Sequence, residues 1–224
     1  MYKQTSLLLS VLLLSGFAAT MPPVAQAQVI VAPGRSSELK QLLEDGRRLV
    51  NSGDFNGAIA VYTQAASLQP KNAKIHSAMG YLYAQQGNFP AALTAYRRAL
   101  GFDPNNGDFF YAVGYVKGNL GDTAGAKEAY RKAIQLNRNN VNAYLGLGVT
   151  QSRLGDYQAA MWAYDQALGI DKNNAQTYEL MGSMFKQRPK AKEASNVLSK
   201  ARDLYQRRND SDGVARVEAL LRTL

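Results

Sequence analysis

Glycines stand at 46, 80, 114, 148 and 182, each 34 residues after the one before, and this unbroken period constrains the chain more than any other feature. A period of this length means that one supersecondary unit is repeated and stacked, so the core is shared between neighbouring units instead of gathering at one centre. Two alanine columns keep the same step, at 58, 92, 126, 160 and 194 and at 65, 99, 133, 167 and 201. Between them runs an aromatic column of Tyr62, Tyr96, Tyr130 and Tyr164, closed by Leu198.

Within a unit, counted from residue 39, 73, 107, 141 or 175, large residues at the fourth and seventh positions precede the glycine. The pairs are Phe110 and Val113, Tyr144 and Leu147, and Tyr178 and Met181. With the glycine column they give i, i+3, i+4 spacing, one face of a helix. The dipeptides Gly53-Asp54, Gly87-Asn88, Gly121-Asp122 and Gly155-Asp156 then mark a turn. Glycine takes the left-handed residue that ends one helix, and Asp or Asn caps the next. Second helices end near Pro70 and Pro104, and Asn105-Asn106, Asn139-Asn140 and Asn173-Asn174 link the units. The small residues at the eighth and twentieth positions are expected to let the two backbones approach closely. Gln151 is expected on an exposed face.

The segments HSAMGYLYAQQGNFPAALTAYRRALGFDP and YLGLGVTQSRLGDYQAAMWAYDQALGIDK resemble the tetratricopeptide repeat (TPR) family in their succession of a large residue, Leu-Gly, Tyr, Ala, Phe or Tyr, Ala and Pro. The resemblance covers residues 39–208 as five units, 39–72, 73–106, 107–140, 141–174 and 175–208. It implies an all-α, right-handed superhelical solenoid of helix-turn-helix units. The terminal units depart from the pattern, with Asp45 in place of a large residue and Pro189 in place of the turn glycine. His76, at a position where the pattern takes a large residue, reads as a packed substitute for an aromatic. Beyond the units, Asn209-Asp210-Ser211-Asp212 reads as a cap. It opens a final helix within 209–224 whose stripe of Val214, Val217, Leu220, Leu221 and Leu224 would cover the fifth unit.

In TPR arrays the first helices line a concave groove, at the second, fifth, ninth, twelfth and thirteenth positions. The resemblance therefore implies a protein-binding groove of Tyr81, Gln85, Tyr111, Tyr115, Asn119, Leu145, Val149 and Arg153, with Ser77 beside them. The ends would present Lys40, Leu43 and Arg47, and Glu179, Ser183 and Lys186. An apolar, tyrosine-rich centre with a charged rim suits a protein or peptide partner. The competing reading is that the tyrosines only fill the curve of the solenoid or lie under the leader. TPR co-chaperones that grip a terminal carboxylate use lysine and asparagine at the fifth and ninth positions, whereas Leu43, Ser77, Tyr111, Leu145 and Glu179 occupy the fifth here.

Catalysis has little to work with. There is no cysteine and one histidine, which removes thiolate and His-cluster metal sites and cysteine nucleophiles. Phosphate-loop, nucleophile-elbow and zinc-protease motifs are absent from the sequence. No cofactor, metal or catalytic residue is expected.

The amino terminus reads as a secretory signal peptide over residues 1–27: Lys3, the apolar run Leu7 to Ala19, and small residues at Ala25-Gln26-Ala27. The mature chain would start at Gln28 with a leader over 28–38, extended through Arg35. An extracytoplasmic location follows, the periplasm first, with a thylakoid lumen or secretion as alternatives. The formal net charge is +9. Between Lys186 and Leu224 ten Lys and Arg face five acids, so this end is basic and could touch anionic lipid or glycan. Nucleic acid is not an expected partner of an exported chain. Two functions stand: an exported scaffold or assembly factor, and a structural subunit of an envelope machine for pili, secretion or polysaccharide export.

Overall fold

A computed structural model describes residues 33–188 and 190–224. The expected signal peptide, the part of the expected leader before residue 33 and the Pro189 substitution lie outside the described residues. The rest forms eleven helices: α1 (Pro33–Asn51), α2 (Phe55–Leu68), α3 (Ala73–Gln85), α4 (Phe89–Phe102), α5 (Gly107–Asn119), α6 (Thr123–Leu136), α7 (Val141–Arg153), α8 (Tyr157–Ile170), α9 (Ala175–Gln187), α10 (Ala191–Arg207) and α11 (Ser211–Leu221). Each packs on the helix before and after it, and first helices also touch the first helix of the next unit (α3 on α5, α5 on α7, α7 on α9). This is the helix-pair solenoid the period predicts. Among the described residues no helix is long and apolar enough to cross a membrane.

The turns are built as their residues dictate. Gly53, Gly87, Gly121 and Gly155 all have φ between 73° and 82°. The following Asp54, Asn88, Asp122 and Asp156 accept hydrogen bonds from the backbone N–H three residues on. The linker asparagines do more than connect. Asn72, Asn106, Asn140 and Asn174 each cap the first helix of the next unit, so both ends of the hairpin are written in side chains. Before α11 the same device recurs with Asn209 in the left-handed conformation at φ 55° and Asp210 as the cap.

The first helix starts earlier than expected. The helix begins at Pro33, so residues 33–38 belong to α1. Proline suits this position because the first turn does not use the N–H it lacks.

All ten alanines of the two columns are fully buried, as is Leu198, and the column tyrosines are buried with them. The glycine column serves a different contact from the one expected. A Cβ on Gly46, Gly80 or Gly114 would come within 2.7, 3.0 and 2.8 Å of the rings of Tyr62, Tyr96 and Tyr130, and on Gly182 within 2.4 Å of Leu198. The glycine thus makes room for a large side chain of the second helix, and the alanine opposite is not among its nearest neighbours. Departures from the repeat pattern are absorbed locally. His76 is buried, donates from Nε2 to the Pro70 carbonyl at 2.8 Å and stands 5.5 Å from the Phe102 ring. Asp45 accepts from Gln41 and Arg48, and those bonds hold its carboxyl below its usual range.

α11 closes the column: Val217 is buried against Leu198, Ala201, Leu204 and Tyr205, with Val214, Leu220 and Leu221 beside it. Leu224, the last of the expected stripe, is exposed.

Candidate functional site

The first helices α5, α7 and α9 enclose a cavity of about 310 Å³. α5 brings Tyr111, Tyr115 and Asn119 to it, and α7 brings Leu145, Val149 and Arg153. These are six of the eight residues expected in the groove, spaced by the 34-residue repeat and brought side by side by stacking. Tyr81 and Gln85, on α3, are exposed but do not line this cavity. Val149 and Arg153 also border a smaller hollow of about 160 Å³ toward α9.

The floor is aromatic. Tyr130, from the second helix α6, is buried between Gly114 and Gly146, whose Cβ positions would lie 2.8 and 2.4 Å from its ring. Tyr111 stands over it with ring centroids 6.0 Å apart. Tyr115 is 45% exposed and meets the edge of Phe89, so its ring is held at an angle yet remains open to a ligand. Burial, and then the neighbouring Tyr115, raise the pKa of Tyr111; burial raises that of Tyr130 too. Both phenols are neutral hydrogen-bonding groups at ordinary pH. Leu145 is only 5% exposed and packs with Tyr144, Met181 and Met184. It belongs to the base of the cavity and not to a protruding contact.

Asn119, Asn142, Gln176 and Arg153 ring this apolar centre, together with Thr150, whose hydroxyl donates to the Gly146 carbonyl. Asn142 and Gln176 hold the second position of their units, so the column that finds them was visible in the sequence. Gly146 was not legible in that way. It breaks the column of Ala78 and Ala112, and its absent side chain opens the cavity onto Tyr130. Rings that present a face and a hydroxyl, beside amides and one guanidinium, can bury apolar side chains while satisfying a peptide backbone.

The expected carboxyl end of the groove is occupied from within. Glu179 accepts from the Tyr205 hydroxyl at 2.6 Å and from Arg216 Nε at 3.1 Å, and Lys186 donates to Thr223. Ser183 donates to the Glu179 carbonyl. Tyr205 of α10, Arg216 of α11 and Thr223 just beyond it therefore hold Glu179 and Lys186, and Arg216 of the basic end is drawn into an ion pair. Among the described residues no three His, Asp or Glu side chains gather in a metal-binding group.

The TPR repeat family matches residues 46–87, 80–121 and 119–155, and the tetratricopeptide repeat family matches residues 141–174. No curated protein matches the chain in sequence. Among solved structures, MamA is 23% identical with a TM-score of 0.65, over 73% of this chain and 96% of that one. YrrB, described as a TPR protein with an unusual peptide-binding site, is 20% identical with a TM-score of 0.62, over 83% and 97%. Pseudomonas aeruginosa pilF is 17% identical with a TM-score of 0.64, over 85% and 93%. Matched family segments running from 46 to 174, the repeated turn and cap geometry and the stacked hairpins together place this chain in the tetratricopeptide repeat family.

Proposed function

We propose that this chain is an exported scaffold or assembly factor that holds a segment of another protein in the concave groove between α5, α7 and α9. The observation that carries the reading is the convergence of Tyr111 and Tyr115 with Asn119, Asn142, Gln176 and Arg153 around one cavity. Aromatic anchors in a partly enclosed pocket dominate interface energetics, and the surrounding amides fix the register of an extended or helical segment. The peptide-binding site named for YrrB supports a peptide ligand by analogy of fold. The groove works by binding and needs no catalytic group.

Cross-linking in the native envelope identifies the partner, and titration calorimetry then tests the groove. Tyr111→Ala with Tyr115→Ala is expected to weaken the partner at least tenfold with the fold intact, while Lys200→Ala on α10 changes it little. Full affinity in the tyrosine variant would move the site elsewhere. Export is tested by intact mass: a start at Gln28 supports processing after Ala27, and retained Met1 overturns it.

The second reading, a structural subunit of an envelope machine, rests on the exposed basic residues of the carboxyl end. Lys192, Lys200, Arg207, Arg208 and Arg222 remain exposed where Arg216 is paired. Co-fractionation with membranes, lost at high salt, would favour it over the groove.

A further inference from the structure

We infer that a cleft on the opposite, second-helix face is a separate docking site, which takes an acidic segment of a partner protein carrying a large apolar anchor. The cleft lies between α6 and α8 and encloses about 700 Å³. Lys127 and Arg131 of α6 form one wall, Trp162 of α8 and Leu154 the other, and Leu147 and Gln151 of α7 the floor.

Three features of the cleft ask for different parts of one ligand. Trp162 is 52% exposed and Leu154 49%, and Trp162 is held by an edge contact to Tyr144 at 6.1 Å between centroids. A fixed, half-exposed indole beside a leucine offers an apolar contact that water serves poorly. At the floor, the amide oxygen of Gln151 is buried without a hydrogen-bond partner. Such orphaned acceptors are uncommon in folded proteins, and rotation of the half-buried Gln151 side chain would bring this oxygen into the cleft, where a peptide N–H can donate to it. The cationic wall supplies the third demand. Lys127 and Arg131 line the cleft, and the pair of Arg131 with Glu128 at 3.6 Å is solvent-exposed. Asp156 is the one carboxylate in the lining, and it accepts the cap hydrogen bond from Ala159 N.

Charge complementarity therefore selects an acidic segment, the orphaned acceptor selects a peptide, and the indole selects an apolar anchor within it. A second copy of this chain is the poorer occupant, because two chains of formal charge +9 would meet through a positive wall.

Trp162 is the chain's single tryptophan, so its fluorescence reports this cleft alone. An array of synthetic dodecapeptides is titrated against the protein. One set combines Glu and Asp with Leu or Phe, a second replaces the acids by Gln and Asn, and a third keeps the acids without the apolar anchors. The expected result is a saturable Trp162 emission shift with the first set, at least tenfold weaker binding of the other two, and weakening in high salt. Lys127→Gln with Arg131→Gln should reduce affinity at least tenfold, and Gln151→Leu should reduce it too. Tyr111→Ala with Tyr115→Ala should leave it unchanged, which separates this site from the groove whatever the fate of the groove reading. The inference is overturned if no member of the array shifts Trp162, or if the neutral set binds equally well. It is also overturned if phosphatidylglycerol vesicles produce the shift where peptides do not, or if self-association of the protein alone does so.

Discussion

A Cβ placed on Gly148 would lie 2.5 Å from Cε1 of Tyr164, so the ring of the second helix occupies the space any other residue at 148 would claim. Tyr164 is almost wholly buried there, and Ala160 and Ala167 on the same helix are closed to solvent. The period seen in the sequence is therefore a period of glycine-to-ring contacts, repeated at Gly46, Gly80 and Gly114 and completed by Leu198 over Gly182.

Gly148→Leu is expected to destabilise the fold by about 3 kcal/mol, because the added side chain must displace the Tyr164 ring in a packed interior. Gly101 is the contrast: it is helical, and a Cβ there meets nothing within 4 Å. Gly101→Ala should gain roughly 0.5–1 kcal/mol by lowering the entropy lost on folding. Denaturant melts of the two variants check the pair, and equal effects would contradict the contact.

The buried tyrosines make the fold sensitive to alkali. Burial pushes the Tyr96 phenol up to about 12 and also raises Tyr62, Tyr130 and Tyr164 from an ordinary value of 10.0. A raised folded-state pKa means that the unfolded chain releases the proton first. Stability from these groups is complete below pH 10 and is lost as pH rises from there through the folded-state values. Melting temperature should be level up to about pH 9.5 and fall beyond it, and Tyr96→Phe should reduce the fall.

Removal of residues 209–224 should lower the melting temperature and increase binding of a hydrophobic dye, since it uncovers Leu204 and Tyr205 and frees Glu179 from Arg216. Val217→Asp tests the same contact without shortening the chain. A buried carboxylate against Leu198 and Ala201 should cost about 3 kcal/mol. An unchanged melt in both would show that α11 does not seal the fifth unit.

Gln151→Leu is expected to leave stability unchanged or raise it slightly. The side chain is half-buried, contrary to the exposed face expected from the repeat, and the substitution removes an oxygen that is enclosed without a partner. Replacing an unsatisfied acceptor by an apolar group of similar shape is near neutral, within about 0.5 kcal/mol, whereas deleting a satisfied one costs more. Thermal melts decide it.

What the sequence alone determined about this protein is everything that depends on neighbours within one or two turns. The 34-residue register, the left-handed glycines at 53, 87, 121 and 155, the Asp and Asn caps after them and the apolar stripe of α11 all follow from backbone geometry and short side chains acting over a few residues. The groove positions were legible as columns, because a column in a repeat becomes a strip on one face once units stack, and six of the eight expected residues do meet at one cavity. Only the tertiary structure decided what each column touches. The ring of Tyr130 reaches Gly146 of the following unit, Leu145 sinks into the core, and Glu179 and Lys186 are taken up by Tyr205, Arg216 and Thr223. The cleft of Lys127, Gln151 and Trp162 likewise joins side chains from three helices. The reason is physical. Caps and turns are local balances of hydrogen bonding, whereas the depth of a groove depends on how side-chain volumes from different units fill the space between stacked helices, and no single segment of the sequence contains that sum.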